Sequence, residues 1–251
     1  MTERPVLLVT GGSRGIGAAT CILAARRGYD VAVNYQGNAE AAAEVVASCG
    51  RAGAKAVALQ GDMASEADIL RVFSEARTAL GPLTAVVNNA AITGKSSPLA
   101  QADAAAIRAC IDLNVTGAIL VAREAARALI ANAGARNRAI VNISSIAAGL
   151  GSPDEYVWYA ASKAAVDSLT IGLAKELAPA GIRVNAVAPG MTETDIHALS
   201  TGEPGRVARI APSIPLKRAA QPEEIAEAVL FALSEAASYM VGSIVRVGGG
   251  R

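Results

Sequence analysis

Short apolar runs rich in branched side chains alternate with longer, Ala-rich amphipathic stretches along this chain. The runs fall at 6–10, 31–35, 56–60, 85–89, 139–144, 183–188 and 243–247. They are nearly continuous in apolar residues, the mark of strands covered on both faces. Between them, apolar positions recur at helical spacing near 15–27, 38–50, 66–80, 102–131, 157–178 and 222–235. Strand and helix in strict alternation predict an α/β fold. It is a doubly wound, seven-stranded parallel sheet with strand order 3-2-1-4-5-6-7. No linker or shift of composition divides the chain, so 1–251 reads as a single domain. The irregular stretch is 190–215, rich in Gly and Pro, and 191–211 is expected to form a lid over a site.

Composition narrows the chemistry. Hydrophobic residues make up 52% and aromatics only 3%, so the core must be built from Ala, Val, Ile and Leu. A net charge of +1 gives no electrostatic reason to expect nucleic acid or an anionic membrane as partner. Cys21, Cys49 and Cys110 are widely spaced, without a C-x-x-C pair, and read as buried thiols in a reducing cytosol. The first apolar run is too short for a signal-peptide core, and no uninterrupted apolar window predicts a membrane span. His197 is the single histidine, which excludes a multi-histidine metal site and leaves one residue for any Ser-His-Asp triad. No metal is expected, and His197 reads as an exposed loop residue.

The first strand runs into Thr10-Gly11-Gly12-Ser13-Arg14-Gly15-Ile16-Gly17 and then at once into a helix. Gly11, Gly15 and Gly17 allow a tight turn, close approach of backbone to a pyrophosphate, and close helix–strand packing. The helix start adds free N–H groups and a positive dipole end. This strand–turn–helix context is what distinguishes a phosphate cradle from an ordinary glycine turn.

A second constellation is Tyr159 and Lys163. Four residues apart on a helix, phenol and ammonium share one face. A tyrosine hydroxyl ordinarily titrates near pH 10. A neighbouring cation favours the phenolate and is expected to draw that value toward neutrality, making a general acid/base.

Taken with these, Asn88-Asn89-Ala90-Ala91 after the fourth strand, Asn114 in a helix, Ser144-Ser145 after the fifth strand, and Pro189-Gly190 after the sixth occur in an order that resembles the short-chain dehydrogenase/reductase family. The resemblance is to its compact members and covers essentially the whole chain. It is closest in character to bacterial sugar (glucose) dehydrogenase-like and 3-oxoacyl-carrier-protein reductase-like members. Ala91 stands where the family pattern has glycine. The resemblance implies a Rossmann domain, an NAD(P)-dependent oxidoreductase acting on CH–OH groups, and a homotetramer. It implies catalytic roles for Asn114, Ser145, Tyr159 and Lys163: proton exchange by Tyr159, lowering of its pKa and a ribose contact by Lys163, substrate-oxygen binding by serine, and a relay water held by Asn114. Of the two serines, family spacing favours Ser145, with a one-residue insertion in the 153–157 loop. Tyr156 is set aside as proton donor because four residues on stands Ala160. Tyr156 and Trp158 are left with two readings, pocket lining or packing.

For the cofactor, the resemblance implies Gly11, Ser13, Arg14, Gly15, Ile16 and Gly17 around the phosphates. Asn34 and Tyr35 stand at the end of the second strand, and Asp62 and Met63 beside the adenine. Asn89, Ala90 and Ala91 border the ribose, Tyr159 and Lys163 the nicotinamide ribose, and Pro189, Gly190, Thr192 and Thr194 the nicotinamide side. An Asp or Glu ending the second strand would select NAD. Here stand Asn34, Tyr35 and Gln36, and Arg14 can pair with a 2′-phosphate, so NADP(H) is favoured while NAD(H) remains usable. The expected reaction is interconversion of an alcohol and a ketone on a small molecule in the cytoplasm. The different-class alternative is a non-catalytic nucleotide-binding sensor or scaffold. Sugar and 3-oxoacyl thioester remain open as substrates.

Overall fold

The computed structural model describes residues 4–194 and 205–251. Strands β1 (Val6–Val9), β2 (Asp30–Tyr35), β3 (Ala56–Gln60), β4 (Ala85–Asn88), β5 (Arg138–Ile143), β6 (Ile182–Pro189) and β7 (Ile244–Val247) form one sheet. Its order is β3-β2-β1-β4-β5-β6-β7, and every neighbouring pair is parallel. The sheet is the one the sequence pattern predicts, and β1 shows why. Leu7 and Val9 point to one side, Val6 and Leu8 to the other, and all are buried. The first face carries helices α1 (Gly15–Arg26) and α2 (Ala39–Arg51). The second carries α3 (Glu66–Leu80), the pair α4 (Ala104–Ile111) and α5 (Ala118–Ala131), a short α6 (Ala147–Leu150) near the site, and α7 (Val157–Leu177). A short α8 (Arg206–Ile210) follows β6, and α9 (Pro222–Leu233) returns to the first face.

The helix predicted over 102–131 is broken. Between α4 and α5 the chain makes a π-helical turn, Asp112–Gly117, with Asn114 in it. Such turns cluster at functional sites. By length and composition Ala104–Ala131 is apolar enough to cross a membrane. Its Val121, Ala125 and Leu129 repeat every four residues and pack into the sheet core, while Arg123, Glu124 and Arg127 form ion pairs.

Asn38, Ser65 and Asp103 cap α2, α3 and α4, each accepting a backbone N–H. Helix α9 opens on Pro222, with Glu224 reaching back to the Gln221 N–H. Helices α1 and α7 have no side-chain cap, and neither have α5, α6 and α8. The expected lid at 191–211 is described only in part: His197 and its neighbours at 195–204 lie outside the described residues, and α8 begins just after them.

Candidate active site

A cavity of about 1120 Å³ opens along the carboxyl ends of the strands. Its floor at one end is the glycine loop. Gly11 has φ +61°, which favours glycine, and its N–H donates to Asn34 Oδ1 at 3.1 Å. A Cβ on Gly17 would stand 2.3 Å from the Gly11 carbonyl oxygen, so no other residue lets the helix approach the loop. Arg14 ends this loop, exposed at the cavity edge, with a guanidinium that has no partner among the described residues. Ser13, Gly15, Ile16, Tyr35, Asp62, Met63, Asn89, Ala90, Ala91, Pro189, Gly190, Thr192 and Thr194 all line the same cavity.

Two expected cofactor contacts, both lining the cavity, also brace the framework. Asn34 is 1% exposed, and its amide is committed to the Gly11 N–H and to the carbonyls of Leu59 and Gly61, at 3.1, 3.2 and 3.0 Å. It ties β2 and β3 to the loop and has no amide proton left for a ribose. Likewise the Asn89 amide donates to the carbonyls of Thr10 and Gly11 at 2.8 and 3.1 Å. Thr10, which the sequence reading did not single out, accepts the N–H groups of Asn89 and Ala90. Asp62 accepts from Gln36 at 3.0 Å and from the Ala64 N–H. The extra methyl of Ala91 is accommodated at the cavity wall.

At the other end, Tyr159 and Ser145 line the cavity together. Ser145 also accepts the Ala147 N–H, at 3.1 Å. Ser144 turns the other way: it is buried and donates to the Lys163 carbonyl at 3.4 Å. Adjacent residues of an extended strand end point to opposite sides, which separates the two hydroxyls. Lys163 is 3% exposed and donates to the Ile143 carbonyl at 2.8 Å, with its ammonium 5.7 Å from the Tyr159 ring centre.

The electrostatics differ from the sequence expectation. Burial pushes the Tyr159 hydroxyl upward, and the Ser145 hydroxyl beside it offsets this only in part. Burial also lowers Lys163 to about 8, against the smaller opposing pull of Cys110 and Asp167. The lysine is therefore a desolvated cation held by a carbonyl, and in this structure it does not bring the tyrosine toward neutrality. Asn114 sits in the π-helical turn that interrupts its helix. Its side chain accepts the Ile92 N–H at 2.9 Å and donates to the Ile92 carbonyl at 2.7 Å and to Ser162 at 3.1 Å, bracing the cavity wall.

Tyr156 and Trp158 divide between their two readings. Trp158 donates to the Thr93 carbonyl at 2.7 Å and packs with Cys110 and Tyr156. Tyr156 both packs and lines the cavity, its ring edge-on to Tyr159 at 5.5 Å. Glu155, Arg206, Arg209 and Lys95 also line this end and were not found from sequence. Glu155 and Arg206 are about fifty residues apart, and no local pattern joins them.

A glycine cradle at the end of β1, hydroxyls from the end of β5 and the start of α7, and one continuous cavity define a dinucleotide-dependent oxidoreductase. The family model described as enoyl-(acyl carrier protein) reductase matches residues 11–251. An uncharacterized oxidoreductase, YgfF of Escherichia coli, is 48% identical over 98% of this chain and 99% of its own length. The cis-4-hydroxycyclohexanecarboxylate dehydrogenase of Sinomonas cyclohexanicum is 40% identical over 98% of this chain and 95% of its own. Among solved structures, a 3-ketoacyl-(acyl-carrier-protein) reductase from Brucella melitensis complexed with NADH superposes with a TM-score of 0.90, at 32% identity, covering 99% of this chain and 98% of that one. A short-chain dehydrogenase from Burkholderia cenocepacia in complex with NADP gives 0.89, at 33% identity, with 99% and 97% covered. The chain belongs to the short-chain dehydrogenase/reductase family and is an NAD(P)-dependent oxidoreductase of its compact type.

Proposed function

We propose that this chain reduces a ketone to a secondary alcohol with NADPH, and runs the reverse, with Tyr159 as general acid/base. The observation that carries the reading is Tyr159 and Ser145 lining one end of a cavity whose other end is the glycine cradle. When bound, the nicotinamide cofactor supplies the hydride that reaches the carbonyl carbon. The residues handle the oxygen. Ser145 donates into the charge that develops there, and Tyr159 delivers the proton. A hydroxyl held up by burial is a weak acid, which keeps its proton until an oxyanion forms beside it. Lys163 faces the ring with its charge and favours the phenolate left behind. Asn114 supports the wall through Ile92.

NADP(H) is favoured because β2 ends without a carboxylate and Arg14 stands exposed at the cavity edge. A homotetramer is the proposed assembly, with exposed Ile119 and Ile130 on α5 and Ile171 on α7 as candidates for burial. The three buried free thiols fit a reducing cytoplasm. The test is a panel of 4-oxocyclohexanecarboxylate, an acetoacetyl thioester and, in the oxidising direction, glucose, followed by NADPH absorbance with NADH in parallel. One of these is expected to turn over, and Tyr159→Phe is expected to lose about a thousandfold in turnover while NADPH still binds. Turnover retained in Tyr159→Phe would remove the assigned role. NADPH binding without turnover across a widened panel would favour a sensor.

A further inference from the structure

Tyr159 sits in the first turn of α7, the turn of a helix most prone to fraying, and α7 starts without a side-chain cap. Its N-cap position is Tyr156, at φ −158° and ψ 66°, whose carbonyl receives the N–H groups of Tyr159 and Ala160 at 3.0 and 3.2 Å. What fixes Tyr156 lies far along the chain. Arg206, on α8, donates to the Tyr156 hydroxyl at 3.0 Å and to Glu155 Oε2 at 2.6 Å, with its guanidinium 5.7 Å from the Tyr156 ring centre. The Tyr156 ring in turn meets Tyr159 edge-on at 5.5 Å, a favourable aromatic geometry.

We propose that Arg206 is a positioning residue for the proton donor: through Tyr156 and Glu155 it pins the uncapped start of α7 and holds the Tyr159 ring in place beside Ser145.

Three features separate this from an ordinary ion pair. Arg206 is 3% exposed while the Glu155 side chain keeps 34%, so the arginine is the desolvated partner and the one left costly when the contact is lost. Its Nε is buried with no hydrogen-bond partner, so the guanidinium is held here by its other edge despite an unmet donor. And Arg206 begins just past 195–204, on the segment that leads from β6, while Glu155 and Tyr156 close the loop before α7. Both sides line the substrate end of the cavity together with Ile210 and Ser213. Seating of α8 is thereby coupled to the alignment of Tyr159, and a substrate that seats α8 correctly also aligns the acid.

The consequence for rate rests on the reductase reading above, so the test has one arm that needs no activity. Hydrogen exchange of the peptide covering 156–163 is compared in wild type and Arg206→Ala, without substrate. Faster exchange confined to this first turn is expected. In kinetics with the ketone that the panel identifies, Arg206→Ala is expected to lower kcat by roughly ten- to a hundredfold, the cost of a small misplacement of a reacting group. The NADPH Kd should stay within about twofold, because the cradle is untouched. Arg206→Lys should recover part of kcat through Glu155, and Glu155→Gln added to Arg206→Ala should cost no further factor, since one contact cannot be removed twice. Unchanged exchange in a cooperatively folding Arg206→Ala protein overturns the proposal whatever the enzyme reduces. So does faster exchange with kcat unaltered, or an independent multiplicative loss in the double variant. If Arg206→Ala does not fold, Tyr156→Phe removes only the hydroxyl contact and is read the same way. A wild type that reduces no ketone defeats the functional reading, while the exchange arm still decides the contact.

Discussion

The two edges of the sheet both bury cations, and they do so on different terms. At the amino edge, Arg138 and Arg183 start β5 and β6 and are each 8% exposed. Arg183 donates to the carbonyls of Ala232, Leu233, Ser234 and Ala237, the C-terminal end of α9 and the turn after it, and to Asn137. Arg138 donates to the carbonyls of Leu129 and Ala180, at the ends of α5 and of the turn following α7. Helix C-termini leave carbonyls unpaired and carry negative dipole character, so an arginine there satisfies both needs. At the carboxyl edge, Lys163 has one carbonyl and lies in the cavity wall. An arginine keeps its charge almost anywhere, whereas a lysine shifts when desolvated. Burial of the two arginines at the amino edge secures the fold; burial of Lys163 at the carboxyl edge leaves a group poised to change state.

The largest effects follow from exchanging these roles. Lys163→Met is expected to lower turnover by at least a hundredfold. Its thermal stability near neutral pH should hold or rise, since a poorly compensated buried charge is replaced by an apolar side chain of similar length. Arg183→Met should do the opposite. It leaves the helix-end carbonyls without their donor and is expected to cost roughly 3 kcal/mol, while kcat of the surviving folded protein stays near wild type. Thermal melts and single-turnover rates on both variants decide the matter, and a pair of variants that lose stability and turnover together would erase the distinction.

A smaller effect sharpens it. Lys163 is lowered from 10.5 to about 8 by burial. Between those values the unfolded chain binds more protons at this site than the folded one, so stability from this group rises with pH across the window. Below about pH 8 the full penalty applies, and above 10.5 it is gone. A difference of this size corresponds to something on the order of 3 kcal/mol. The melting-temperature difference between wild type and Lys163→Met should therefore shrink or reverse as pH climbs from about 8 toward 10.5, and a flat difference would mean the lysine is not desolvated in solution.

What the sequence made legible is what local patterning controls. The continuous apolar strands and Ala-rich helices produced the sheet order, and the loop at 10–17 announced its own geometry because glycine is the only residue that fits Gly17. Tyr159 and Lys163 were legible for the same reason, being one helical turn apart. Contacts that depend on distant segments were not. The π-helical turn at Asp112–Gly117 hides inside a good helical pattern, although Gly117 marks it, since a Cβ there would stand 2.2 Å from the Met63 carbonyl. Asn34 looked like a ribose ligand because its role as a bridge needs Gly11, Leu59 and Gly61 in place. Arg138, Arg183 and Arg206 gave no local signal at all: each answers to carbonyls or side chains that only the finished fold brings near.

Arg14 is the counterpart to all three, an exposed cation at the site with no partner among the described residues. If its place is to meet the 2′-phosphate, Arg14→Ala should raise the Kd for NADPH by about tenfold, the worth of a charge-assisted hydrogen bond at a solvent-facing position. NADH lacks that phosphate and should lose less than about twofold by the same reasoning. Because the contact is exposed, the discrimination should contract at high salt, where the Debye length falls to roughly 3 Å in 1 M electrolyte. Fluorescence titrations of both cofactors at two salt concentrations measure all of this. Equal losses for NADPH and NADH would make Arg14 a solvated loop cation, and the missing carboxylate after β2 would then stand alone as the reason to favour the phosphorylated cofactor.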